Sequence, residues 1–255
     1  MDHLLAPDPA QGVFSTMLVV EDAPLELDPH LSALGASVRA VYGAELPADA
    51  ALLAAEHARG HALGRLRLSY LPHASGGPRL EALARAIDAA IVLPGWDAGL
   101  ELVSARVDGW NGGHKWVDRR LLDRLDAAAA PADALLVDGA GRVLETTRAN
   151  VFALGEDGVL LTPPADGSIL PGVTRARVIA LSRERGVEVR EQPLGLAALT
   201  AAREVFTSGS VRGVESVRSL DGAPLGGPGE LVTALADALR ERWLGAGARV
   251  VHTSR

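Results

Sequence analysis

Gly112-Gly113-His114-Lys115-Trp116-Val117-Asp118-Arg119-Arg120 holds the only lysine of the 255-residue chain; the other 24 basic residues, 25 less this one, are arginine. Arginine serves wherever a positive charge is enough, and a GC-rich coding background favours it. It stays protonated at any working pH, whereas a desolvated lysine sheds its proton and becomes a nucleophile or base. The one lysine that survives is therefore a candidate Schiff-base residue. On composition alone a chance survivor on a solvated surface fits equally well, so the surrounding motifs have to decide.

Composition narrows the field. The length suits one large or two modest domains with a proper core. With 48% hydrophobic and 22% charged residues the chain reads as an ordinary globular protein. A net charge of −7 and no long basic run argue against nucleic acid as a partner. No apolar run reaches membrane-spanning length, and the acidic Met1–Gln11 segment lacks a signal peptide's basic start, so a cytoplasmic protein without a membrane partner is expected. The absence of cysteine removes disulfides, thiolate metal sites and cysteine catalysis. His57 and His61 have the spacing of a helical zinc pair, but no glutamate follows His57, Gly60 intrudes and no third ligand is evident; no metal is expected. Gly-x-Ser-x-Gly, Walker and dinucleotide fingerprints are all missing.

Upstream of the lysine, Gly12–Val20 reads as a strand, followed by a turn at Glu21–Pro24. Pro29 opens an amphipathic helix with Leu31, Leu34, Val38 and Val41 at helical spacing. Ala48–Arg59 is a second helix, and Arg65–Leu71 alternates as a strand. Beyond a turn at Ser75-Gly76-Gly77-Pro78, Leu80–Val92 is ambiguous between helix and strand, and Leu100–Val107 is a strand. Downstream, Trp116–Ala130 is predicted as a helix. The segments Ala134–Val137, Arg142–Glu145, Val151–Leu154 and Val159–Thr162 form an antiparallel meander split by Gly-rich turns. A helix over Val173–Arg185, a strand over Val187–Gln192, a short helix over Leu196–Ala202, a strand over Val205–Thr207 and a helix over Glu230–Leu244 complete the chain. The pattern predicts two α+β domains, residues 1–107 and 114–255, joined by the turn-rich linker 108–113.

Three motifs follow one another in order: Lys115-x-x-Asp118-Arg119, Glu145-x-x-x-x-Asn150-Val151-Phe152 and Leu170-Pro171-Gly172-Val173-Thr174-Arg175. Together they resemble the fold-type IV pyridoxal-phosphate enzymes, which include branched-chain and D-amino acid aminotransferases and 4-amino-4-deoxychorismate lyases. The resemblance implies a two-domain D-amino acid aminotransferase-like α+β fold, pyridoxal 5'-phosphate as cofactor, and a homodimer with its site between the domains. On that resemblance Lys115 forms the internal aldimine and then shuttles the proton at the substrate's reactive carbon. Glu145 keeps the pyridine nitrogen protonated, making the ring an electron sink, and Asn150 braces the loop. Gly172, Val173 and Thr174 at a helix start offer backbone N–H groups and a hydroxyl to the phosphate. Ser210 and Val211 supply its second contact. One departure stands out. The family's His-x-x-Arg, whose arginine clamps the phosphate, reads His30-Leu31-Ser32-Ala33 here, and Arg39, Arg65 and Arg67 are the candidates to replace that charge.

Within the resemblance, Gly12-x-Phe14-x-Thr16 and Lys115-x-x-Asp118-Arg119 are similar to the lyase pattern, with Thr16 beside the substrate. This implies a lyase converting 4-amino-4-deoxychorismate to 4-aminobenzoate and pyruvate in the folate branch. Arg67, Arg119 and Arg148 are its candidates for binding a substrate carboxylate. Against it, Leu71-Pro72-His73-Ala74 stands where lyases carry an Arg-Gly pair. The alternatives are a class IV aminotransferase acting on a D- or branched-chain amino acid, and a lapsed member that holds the cofactor weakly.

Overall fold

The apolar, β-branched run at the start of the chain forms β1 (Val13–Val20), and everything near the lysine is built against it. The computed structural model describes residues 6–73, 77–94 and 99–245. In the first layer β2 (Ala23–Pro24), β3 (Leu63–Leu71) and β4 (Arg79–Ala86) join β1 in an antiparallel sheet of order β2-β1-β3-β4. Alternate residues of its central strands, Val13, Met17, Val19, Leu66, Leu68 and Tyr70, turn to one side. There they meet the apolar stripes of α1 (Leu27–Tyr42) and α2 (Ala50–Ala58), chiefly Leu34, Val38, Ala54 and Ala58. A period of two in the strands and 3.6 in the helices produces this contact directly.

The larger layer follows. Its strands are β5 (Leu100–Arg106), β6 (Asp133–Val137), β7 (Arg142–Thr146), β8 (Asn150–Leu154), β9 (Leu160–Thr162), β10 (Val189–Glu191), β11 (Leu194–Gly195), β12 (Glu204–Gly209), β13 (Gly213–Leu220) and β14 (Ala223–Pro224). Its helices are α3 (Arg120–Ala129), α4 (Val173–Glu184), α5 (Leu196–Thr200) and α6 (Glu230–Leu244). Strand pairing runs β8-β12-β13-β5-β6-β7, and β7 returns to β8 through Glu145 opposite Asn150, which closes six strands into a ring. Alternation sorts the core. Val151, Ala153 and Val205 gather with Leu102, Leu135 and Val217 on one side of this wall. Phe152, Leu154 and Phe206 pack on the other side with Val178 and Ile179 of α4 and Leu235 and Leu239 of α6. The Phe152 and Phe206 rings stack there with centroids 5.0 Å apart.

Three readings of local structure change on contact with the structure. The helix expected from Trp116 begins only at Arg120, because residues 115–117 are drawn into extended pairing with β1. Leu80–Val92 resolves into β4 plus a 3-10 turn at Ala89–Ile91, since β3 offers its edge to the segment. Strand β13 was not anticipated: Glu215, Ser216, Arg218 and Ser219 interrupt its apolar residues, and only pairing with β12 and β5 identifies it. The change of sheet comes between Ala86 and Leu100, ahead of the 108–113 linker, because β5 pairs in parallel with β13 and β6. The turn expected at residues 75–78 falls partly outside the described residues. Among the described residues no helix is long and apolar enough to cross a membrane. None of their His, Asp and Glu side chains form a group of three or more able to hold a metal ion.

Candidate active site

Lys115 is fixed from its main chain outward. Its carbonyl accepts a hydrogen bond from Phe14 N at 2.8 Å, Val117 N donates to Gly12 O at 3.0 Å, and Trp116 forms an isolated antiparallel bridge with Val13. Asp118 anchors the next residues. Its buried carboxylate accepts from Asp8 N at 2.9 Å and from Arg120 Nε and Nη2 at 2.9 and 2.6 Å. Those Arg120 contacts hold it well below the usual carboxylate range. Asp118 of the motif is thus a brace for the backbone, not a group facing the cleft. Gly112 is required by a close approach: a Cβ there would sit 2.2 Å from Ser168 O and 2.8 Å from Trp110 Nε1. With no side chain at 112, the linker passes directly over the Gly167-Ser168 turn.

Two clefts, both open to solvent, meet at Lys115 and Leu170. The first is bordered by Trp110, His114, Arg119, Glu145, Arg148 and Asn150. The second runs past Phe14, Thr16, Ala33, Gly172, Val173 and Ser210. Lys115 therefore stands where an end bordered by one buried carboxyl and two arginines meets an end bordered by hydroxyls and glycine backbone.

Charge in the clefts follows from burial. Desolvation brings the Lys115 amine down to about 8; the positive charges of Arg119, Arg67 and Arg65 add to this, and Glu145 opposes it. The Lys115 Nζ lies 5.4 Å from the centroid of the Phe14 ring, whose face also carries the Arg67 guanidinium at 3.7 Å. Burial pushes Glu145 up to about 8, against the pull of the Leu170 amide and of Lys115. Its Oε2 accepts from Asn150 Nδ2 and from Leu170 N, both at 3.2 Å. Among the described residues no such bond reaches Oε1 within 3.5 Å, and the Trp110 indole N–H, itself without a partner at that distance, also pulls the carboxyl down. Asn150 also donates to Leu170 O at 2.9 Å, tying β8 to the segment that enters α4.

The residues singled out from sequence fall into three groups. Lys115, Glu145, Asn150, Gly172, Val173, Ser210 and Thr16 all border one cleft or the other, and buried Thr174 donates to Ser210 Oγ at 3.3 Å. Arg67 and Arg119 lie close enough to lower the amine's pKa, and Arg119 also donates to Thr147 O at 3.0 Å. The rest are turned elsewhere. Val211 packs into the apolar core under α6. Arg148 borders the first cleft, but its guanidinium is bound to Asp126, with Nη2 at 2.9 Å. Arg39 pairs with Glu45 at the surface and does not stand in for the missing arginine. Ala33 lines the second cleft, among whose bordering residues Lys115 and His30 are the basic ones.

Sequence reading passed over Ser15 and Ser37 and gave His30 only as the head of the altered motif; all three border the second cleft. His30 Nδ1 is 2.9 Å from Ser15 Oγ, and burial with the Lys115 charge pushes the imidazole down to about 4, so it is neutral. The even spacing of β1 and the helical spacing of α1 set these positions, but only the sheet–helix contact shows that they converge. The donor set suits a ligand with three features: an electrophile for Lys115, a ring N–H for Glu145, and an acidic group for the amides and hydroxyls around Gly172 and Ser210.

Over 94 residues, 37% of this chain, the sequence is 44% identical to the branched-chain-amino-acid aminotransferase of Escherichia coli strain K12. That stretch is 30% of the relative's own length. A hypothetical aminotransferase from Mycobacterium tuberculosis superimposes with a TM-score of 0.78 at 25% identity, covering 93% of both chains. The 4-amino-4-deoxychorismate lyase from Pseudomonas aeruginosa does so with a TM-score of 0.79 over 94% of both chains, and at 24% identity that likeness speaks to the fold alone. The amino-transferase class IV family matches residues 12–220, a span that includes Lys115, Glu145, Gly172 and Ser210, and the chain belongs to that family of pyridoxal-phosphate enzymes.

Proposed function

We propose that this chain binds pyridoxal 5'-phosphate through Lys115 and moves a proton at the carbon bearing a substrate's primary amine, acting as a 4-amino-4-deoxychorismate lyase. The observation that carries the cofactor reading is the placement of the one lysine. Its desolvated amine stands between the buried carboxylate of Glu145 and the cradle formed by Gly172, Val173 and Ser210. Pyridoxal phosphate supplies, when bound, an electron-withdrawing ring. The chain's own groups do the rest. Lys115, titrating near pH 8, can give and take a proton at neutral pH. Glu145, oriented by Asn150, would offer a hydrogen-bond acceptor to a ring nitrogen. Arg119 and Arg67 leave positive charge beside the amine for a substrate carboxylate. Thr16, which borders the second cleft along with the lysine, supports the lyase reading.

The aminotransferase reading is favoured by a specific observation, the 44% identity to a branched-chain aminotransferase. Product analysis separates the two. Pyruvate with 4-aminobenzoate, formed without an amino acceptor, supports the lyase. Turnover that requires a 2-oxo acid supports the aminotransferase. A homodimer belongs to the same proposal, on the family resemblance alone.

One substitution probes the phosphate end. A Cβ on Gly172 would lie 2.3 Å from Asn150 Oδ1. Gly172→Ala must therefore displace the side chain that bonds both Glu145 and Leu170 O. Leaving a buried polar group unmatched costs about 1–3 kcal/mol. Pyridoxal phosphate affinity, read by absorbance titration, is expected to weaken by about tenfold or more. An unchanged titration would mean that the cradle is not where the phosphate goes.

A further inference from the structure

The walls of the second cleft come from helices of different layers. Helix α1 supplies His30, Ala33, Leu34 and Ser37, while Gly172 and Val173 come from the start of α4. One ion pair ties the residue before α1 to α4. Arg177, one turn beyond Thr174, donates from Nε to Glu26 Oε1 at 2.9 Å, and its Nη2 lies 2.8 Å from the same oxygen. Arg242 of α6 approaches that oxygen at 3.4 Å.

Glu26 is an unusual residue to find there. It immediately precedes α1 with φ 50° and ψ 40°, in the left-handed region that glycine or asparagine occupies more cheaply. Its side chain is nevertheless only 9% exposed, with two arginines around it. Its carbonyl also accepts the first hydrogen bond of the helix, from His30 N at 3.1 Å. Any movement of Glu26 is thereby passed to His30 and, one turn on, to Ala33. A charge-assisted contact with one partner at the root of each wall fixes how far apart the walls stand.

We propose that Glu26 and Arg177 are positioning residues that set the width of this cleft and hence its grip on the phosphate end of the cofactor. The proposal rests on reading the cleft as the pyridoxal phosphate pocket. In a cleft whose bordering basic groups are Lys115 and neutral His30, the phosphate depends on short contacts to amides and hydroxyls from both walls. Such contacts weaken steeply with separation.

The test compares pyridoxal phosphate with unphosphorylated pyridoxal, both titrated by absorbance against the full chain. For the wild type, borohydride fixation at Lys115 is checked first. Failure of pyridoxal phosphate to bind there would overturn the cofactor reading and this proposal with it. With binding established, Glu26→Gln and Arg177→Gln are each expected to weaken pyridoxal phosphate by about tenfold while shifting pyridoxal less than about twofold. The double variant should be no worse than the weaker single one, because both substitutions remove one interaction. Arg242→Gln should leave both affinities within about twofold, since α6 borders neither cleft. Where Glu26→Gln does not fold, by thermal melt, Arg177→Lys reads the same ratio, because lysine keeps the charge and loses the two-nitrogen grip. Parallel weakening of both aldehydes, or no change in either, overturns the proposal, for then the pair stabilises the fold without setting the cleft.

Discussion

Lys115→Ala is expected to lower turnover by at least about 10³-fold, the scale on which a positioned base and nucleophile act. It should also abolish covalent fixation of pyridoxal phosphate by borohydride, read by mass spectrometry of the peptide containing residue 115. Lys115→Arg should fail equally, because a guanidinium keeps its proton and cannot become the nucleophile. The wild type carries a pH signature. Its amine titrates near 8, so rate is expected to rise with pH through that value as the neutral form accumulates. Arg119 is the largest charged contributor to the lowered value. Arg119→Gln should therefore move that limb to higher pH, while a lysine acting only as a surface charge would show no such movement. Activity above about a tenth of wild type in Lys115→Ala would sink the assignment.

Much of this site was legible before the fold was known, for identifiable reasons. A lysine retained where arginine would serve marks chemistry that arginine cannot do. The order of Lys115, Glu145 and Gly172 survives in sequence because each lies at an element's edge, where short motifs accompany turns and helix starts. Helix α6 was readable because it is long and amphipathic, and its range agrees with the expectation. The misreadings share one physical origin. Trp116–Arg119 and Gly213–Leu220 have local patterns that long-range pairing overrides: with β1 in the first case, with β12 and β5 in the second. The contact between Glu26 and Arg177 spans 151 positions and leaves no trace in spacing. Nor did sequence reveal that the Arg148 guanidinium is taken by Asp126, because a surface arginine and a ligand arginine look alike until their partners are placed.

Glu145→Gln is the second large expected effect, and its two readouts should move in opposite directions. Glutamine retains an oxygen for Asn150 and removes the charge, so the packing of the cleft is preserved while the acceptor for a protonated ring nitrogen is lost. Turnover is expected to fall by about 10²-fold or more, the scale of a lost preorganised electrostatic contact. Stability of the cofactor-free protein should rise. Burial puts the folded-state pKa near 8, above the ordinary carboxylate value of 4.5, so between those values the folded protein keeps a proton that the unfolded chain releases. Wild-type stability must therefore decline as pH climbs through that window, and it stays reduced above it. Glutamine has no proton to lose. At pH 8 the cofactor-free variant should melt at least a few degrees above wild type, whereas near pH 4.5 the two should nearly coincide. Added pyridoxal phosphate should close the gap at pH 8, because a cationic ring nitrogen beside Glu145 favours the carboxylate that burial alone disfavours. A variant losing both stability and turnover at pH 8 would make Glu145 a structural residue of the β7–β8 closure and leave the ring nitrogen without its partner.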